Sequence, residues 1–235
     1  MPLRNPRTVA ALVATLLVAN AVWNLLLNTL LVRSGLAAAV RVTYDVALPL
    51  SGPQAVAGLA LSTVATIALF TALARTFSSD AFGGAAPSLD TALVYGRALV
   101  VAVGGTVAVA LGLVALVVPG LVVALHLPLV FVSVAVDGDS VGQAVDGVWE
   151  RMRGHRARVT AVGLAVVAIP LALAVIATLT TLLTPVAELA VGVVITTLAA
   201  TVGLAVFTAI AESLGGTSAG SSRTGRLASG TSRQL

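Results

Sequence analysis

Residues 98–136 read ALVVAVGGTVAVALGLVALVVPGLVVALHLPLVFVSVAV, a run of 39 residues without one Asp, Glu, Lys or Arg. As a single helix it would extend about 58 Å at 1.5 Å per residue, nearly twice the roughly 30 Å of hydrocarbon in a bilayer. The run must fold back. Pro119-Gly120 is the expected corner, because Pro removes a backbone donor and Gly permits a tight reversal. Two spans are thereby predicted, roughly 92–118 and 121–136. The second rises only about 24 Å, so it begins within the corner, sits in thinned bilayer or is re-entrant.

Working outward, further uncharged runs cover residues 8–32, 46–74, 159–187 and 189–211. Pro49 and Ser51-Gly52-Pro53 delay the start of one, and Pro185 supplies a corner between the last two. The predicted spans are 8–32, 54–74, 92–118, 121–136, 159–184 and 186–211, with kinks at Pro128 and Pro170 that neighbouring helices can satisfy. The expected fold class is all-α, a polytopic membrane bundle of six transmembrane helices. Composition agrees: of 235 residues 58% are hydrophobic and 9% charged, where a soluble domain carries about 25% charge. That excludes a soluble globular enzyme.

All 13 basic residues are Arg, which with the Ala, Val, Leu and Gly bias suggests a GC-rich, prokaryotic genome. The absence of Cys excludes disulfides, thiolate nucleophiles and iron–sulfur clusters. The basic pI carries no nucleic-acid reading, because the Arg residues flank apolar spans, where they set topology and meet lipid phosphates. With the N-terminus inside, Arg4, Arg7, Arg75, Arg97, Arg151, Arg153, Arg156, Arg158, Arg223, Arg226 and Arg233 are cytoplasmic and only Arg33 and Arg41 are outside. Both termini are therefore expected in the cytoplasm of a multi-pass cell-membrane protein. The competing reading, a signal peptide cleaved near Ala37-Ala38-Ala39, is disfavoured because the first apolar run exceeds the usual h-region. The transmembrane domain is expected over 1–214, and 215–235, rich in Gly, Ser and Thr, is expected to be a disordered cytoplasmic tail.

Residues 140–153 are too polar to span, yet Val141, Ala144, Val145, Val148, Trp149 and Met152 recur along one helical face. This predicts an interfacial amphipathic helix capped by Asp139 or Ser140, with Trp149 at headgroup depth. Arg151, Arg153, Arg156 and Arg158 are candidates for anionic lipid contact, set against the simpler reading that they hold the loop inside. Asp137-Gly138-Asp139 is only superficially like a calcium loop, since later ligand positions carry Val141 and Val148.

Candidate polar groups within the membrane are few. Asn20, Asn24 and Asn28 form a stripe that serves as inter-helix glue or lines a hydrophilic path, with glue the expectation. His126 either relays protons or satisfies a helix neighbour, and Glu188 is either functional or a first-turn acid favoured by the helix dipole. Gly104, Ala108 and Gly112 make a small-residue ridge for helix packing. No catalytic triad, zinc-binding HExxH, phosphate-binding glycine loop or carboxylate pair occurs, so no catalytic, cofactor or metal residue is assigned.

The stretch 114–159, VALVVPGLVVALHLPLVFVSVAVDGDSVGQAVDGVWERMRGHRARV, resembles the six-span membrane domain that accompanies some bacterial glycerophosphodiester phosphodiesterases and related stand-alone membrane proteins of bacteria and haloarchaea. Pro119-Gly120, Asp137 to Ser140, Ala144 to Trp149 and Arg151 to His155 match that family's Pro-Gly helix end, acidic turn, amphipathic helix and basic re-entry in order. His126 departs from it, standing where relatives often carry Arg. The resemblance implies a fold and a membrane role. The phosphodiesterase chemistry of the fused relatives resides in a soluble domain outside this stretch. The expected function is a non-enzymatic membrane scaffold contacting lipid or a protein partner at its cytoplasmic face. The alternative is a small transporter or channel using the Asn stripe and His126.

Overall fold

The computed structural model describes residues 6–36, 46–78, 89–153, 157, 161–165, 168–169, 171–172, 175 and 183–228, with side chains in the last stretch described as far as Leu214. Regular structure among them is entirely helical: α1 (Pro6–Arg33), α2 (Gly52–Phe77), α3 (Leu89–Ala115), α4 (Val117–Val132), a π-helical turn (Ser133–Asp137), α5 (Val141–Met152) and α6 (Pro185–Ala228). Among the described residues, five stretches are long and apolar enough to cross a membrane, namely Pro6–Arg33, Gly52–Phe77, Asp90–Ala115, Val117–Asp137 and Pro185–Leu214. The span expected at 159–184 falls largely outside the described residues, although residues 161–165 are helical.

The chain does reverse within 98–136, but at Leu116, whose φ of −156° and ψ of 122° interrupt the helix. The Pro119-Gly120 corner is thus a correction of three residues, with a physical cause. Pro119 occupies the first turn of α4, where a missing N–H is harmless because first-turn donors have no intrahelical acceptor. Gly120 serves packing instead: a Cβ there would press on the backbone of Gly112 and Leu113, and one at Gly112 would lie 2.7 Å from the Gly120 Cα. The facing glycines bring two helix backbones into van der Waals contact, a principal source of helix association in a bilayer.

The predicted ridge is corrected in the same way. Gly112 packs as expected, but its companion is Gly105, where a Cβ would collide with the Leu127 side chain; a Cβ on Gly104 would meet nothing within 4 Å. Gly104 and Ala108 instead line an open groove.

Local signals set the other helix ends. Ser51 and Gln54 form a capping box that starts α2, with the Ser51 N–H donating to Gln54 Oε1 at 2.9 Å. Ser140 and Gln143 do the same for α5, deciding between Asp139 and Ser140 as its cap. Such boxes satisfy donors that a helix start leaves orphaned. Pro128 lies within α4, and past it the helix widens into the π turn, where the Ser133 N–H donates to the carbonyls of both Leu129 and Val130. Gly138, at φ 75°, closes the turn. At the far end, α6 continues to Ala228, into the segment expected to lack structure. Extending an existing helix forms one hydrogen bond per residue fixed without a new nucleation cost.

One core cluster joins Leu16 of α1, Leu73 and Ala74 of α2, Ala98 and Val101 of α3, Leu129 to Ala135 at the end of α4, the buried face of α5, and Leu204 to Leu214 of α6. The first halves of α1 and α3 thus meet the last halves of α2, α4 and α6 at one end of the bundle. α5 closes that end. At the other end the α3–α4 corner stands free, with Val114 87% exposed.

Candidate functional site

Helix α5 does not leave α4 after the acidic turn; it folds back along it. Trp149, nine residues beyond Ser140, stacks on His126, eleven residues before Asp137, with ring centroids 4.8 Å apart and planes at 25°. Two residues that the sequence assigned to different depths therefore share one level. The contact bounds a groove of about 380 Å³ between α3, α4 and α5, whose floor includes Gly104 and Ala108 and whose α5 wall is Val141, Val145 and Trp149.

That wall corrects the single apolar face predicted for α5. At 100° per residue, Ala144, Val148 and Met152 form one strip, and these are the residues buried in the core. Val141, Val145 and Trp149 form the adjacent strip along the groove; Val145 and Trp149 remain 47% and 45% exposed. Asp146, Glu150 and Arg151 lie on the remaining side. The Arg151 guanidinium reaches back over Gly147, with Nη2 3.3 Å from where a Cβ on that glycine would stand. Arg153 is exposed at the helix end. Arg156 and Arg158 lie outside the described residues.

The polarity of the stack follows from hydrogen bonding. His126 Nδ1 lies 2.7 Å from the Val122 carbonyl oxygen, which can only accept, so the proton is on Nδ1. With the Nδ1 proton held there, Nε2 is the acceptor of the ring in its neutral form. Among the described residues Nε2 has no hydrogen-bond partner, and neither has the Trp149 indole N–H. His126 and Trp149 are thus lining residues with unused polar atoms in an otherwise apolar groove. A second cavity, about 320 Å³, lies between α2, α3, α4 and α6 beside Phe70, Phe131 and Phe207. Its only polar lining residue among those described is Thr106.

The asparagine stripe lies elsewhere. Asn20 donates to Thr196 Oγ1 at 2.8 Å, Thr197 Oγ1 at 3.0 Å and the Val193 carbonyl at 3.3 Å, tying α1 to α6. Asn24 donates to the Asn20 side-chain oxygen at 2.9 Å. Asn28, buried, donates to the Val46 carbonyl at 2.7 Å, while the Leu48 N–H donates to Thr29 Oγ1 at 2.9 Å. Together they pin the irregular stretch 46–50 against α1. None of the three asparagines lines the His126 groove. Glu188 is half-buried in the first turn of α6, its backbone N–H bonded to the Thr184 carbonyl at 2.9 Å.

Two features escaped the sequence reading. Arg97, counted there only as a topology charge, donates through Nη1 to the Gly138 carbonyl at 2.9 Å and so ties α3 to the acidic turn. In that turn Ser133 donates to the Asp139 carboxylate at 2.8 Å, with Asp137 at 3.4 Å. A charge next to an αL glycine was the available signal. No family model, curated protein or solved structure matches the chain.

Proposed function

We propose that this is a non-enzymatic membrane protein that holds a lipid in the groove between α3, α4 and α5. The observation that carries the reading is the groove itself: apolar along its length, bounded by the His126–Trp149 stack, and continuous with exposed aliphatic residues such as Val100, 60% exposed. A pocket with apolar walls and few placed polar groups suits a small amphiphile. Nearby Arg151 and Arg153, with Arg156 and Arg158 following in sequence, suit anionic headgroups at the surface around it. The resemblance of 114–159 to the membrane domain of glycerophosphodiester phosphodiesterases accords with a membrane role, and the same basic surface would also serve a protein partner.

The topology belongs to the same proposal. Because α4 and α6 both end in one core cluster, the chain between α5 and α6 has to return to the opposite end once, which supports a sixth span over 159–184. Six spans put both termini on one side, and the Arg distribution favours the cytoplasmic face of a prokaryotic cell membrane. The asparagine bonds to α6 and to residues 46–48 favour a scaffold over the transporter alternative.

The test is a groove-filling substitution. Gly104→Leu projects into open space, so it should leave the bundle intact while displacing lipid. Native mass spectrometry of the purified chain should show a retained lipid that Gly104→Leu loses, while circular dichroism shows the bundle still folded. Equal lipid retention by both proteins would refute the reading.

A further inference from the structure

We infer that the groove selects a lipid whose polar end is an uncharged hydroxyl. The inference rests on the groove reading above and specifies its ligand. Three observations carry it. First, the polar equipment at the stack is His126 Nε2, the acceptor of a neutral ring whose Nδ1 donates to the Val122 carbonyl, and one donor, the Trp149 indole N–H. A hydroxyl is the simplest group that both donates and accepts. Second, no charged side chain lines the groove among the described residues. A phosphate seated there would be a desolvated charge without a partner, whereas a hydroxyl needs only the bonds on offer. Third, the basic side chains beside the groove are directed elsewhere: Arg151, two residues from Trp149 and so about 200° around α5, bends toward Gly147, and Arg97 donates to the Gly138 carbonyl at 2.9 Å.

The volume fits an acyl segment. At roughly 30 Å³ for a water-sized group, 380 Å³ holds about a dozen such groups. The chain would lie along Gly104 and Ala108, where α3 offers no side chain larger than a methyl. The hydroxyl would sit at the edge of the ring pair. The level shared by His126 and Trp149 is then where the ligand passes from polar to apolar.

The full-length protein in phosphatidylcholine vesicles tests this, with Trp23→Phe leaving Trp149 as the single tryptophan. Brominated acyl chains are supplied in turn on diacylglycerol, on phosphatidic acid and on phosphatidylcholine, and quenching of Trp149 is titrated by mole fraction. Brominated diacylglycerol should quench saturably, half-maximally at a mole fraction about fivefold below the other two, the worth of a net hydrogen bond. His126→Phe keeps a ring against Trp149 but removes the acceptor, and should abolish that preference while leaving quenching itself. Preference for phosphatidic acid, or a diacylglycerol preference that survives His126→Phe, overturns the inference. Equal saturable quenching by all three lipids, lost in Gly104→Leu, would overturn hydroxyl selection while leaving the groove as a lipid site. Quenching that never saturates, or that ignores Gly104→Leu, would remove both.

Discussion

The tightest test of the helix packing is a pair of identical substitutions with opposite expected signs. At Gly120 an added methyl would lie 2.7 Å from a Gly112 backbone carbon and closer still to the Leu113 backbone. Backbone cannot rotate aside, so α3 and α4 must separate. Overpacking of this kind costs about 1–3 kcal/mol, and the backbone contact puts Gly120→Ala in the upper part of that range. The better helix propensity of Ala offsets about 0.5–1 kcal/mol, leaving a net loss of about 2 kcal/mol. Gly104 lies on the same hairpin, but its added methyl would meet nothing within 4 Å. Gly104→Ala should therefore be worth about 0.5–1 kcal/mol of added stability. At roughly 2–4 °C per kcal/mol for a chain of this size, the two variants should differ in Tm by about 5–12 °C. Thermal unfolding in one detergent, followed by circular dichroism, measures the difference. Equal Tm values, or a less stable Gly104→Ala, would refute the packing argument.

Three further outcomes follow from named bonds. Asn20→Leu removes the donor that α6 receives from α1; at about 0.6 kcal/mol per intramembrane bond its Tm should fall by a few degrees, with Asn24→Leu affected less, since Asn24 reaches only Asn20. Ser140→Ala opens the capping box of α5 and should cost about 0.5–2 kcal/mol, seen as faster amide exchange at residues 141–144; unchanged exchange would count against the cap. Arg97→Met should loosen the Ser133–Asp139 turn, read as faster exchange of the amides around Gly138, because the carbonyl held at 2.9 Å loses its charged donor.

The reversal within 98–136 was legible because it follows from arithmetic on length, and any uncharged run far beyond bilayer thickness demands it. Its location was not, because proline and glycine each have two uses. Proline ends one helix or begins the next, and glycine turns a corner or admits a neighbouring backbone; only the glycine facing Gly120 decides which. The Asn stripe was legible as a polar face, but its partners were not, since Thr196, which accepts from Asn20, also bonds its own helix at Gly192 and nothing in the pattern distinguishes it from Thr201, which bonds Thr197. The pairing of His126 with Trp149 had no local signal. It depends on the direction α5 takes after Gly138, and two neighbouring apolar strips on a twelve-residue helix read as one until the core is seen to take only the first.

That division of α5 bears on why the groove exists. Closing the bundle requires one strip, and Ala144, Val148 and Met152 supply it. If closure were the whole task, Val141, Val145 and Trp149 could be polar at no cost to the core. They are apolar instead and line the groove, with Val145 and Trp149 about half exposed, opposite a helix that presents Gly104 and Ala108 where larger side chains would close the gap. An apolar strip facing a surface hollowed by small residues leaves room for something apolar between them. In a protein whose surroundings are lipid, the proposed occupant is at hand, and His126 and Trp149 supply the polar atoms on which the proposed selection rests.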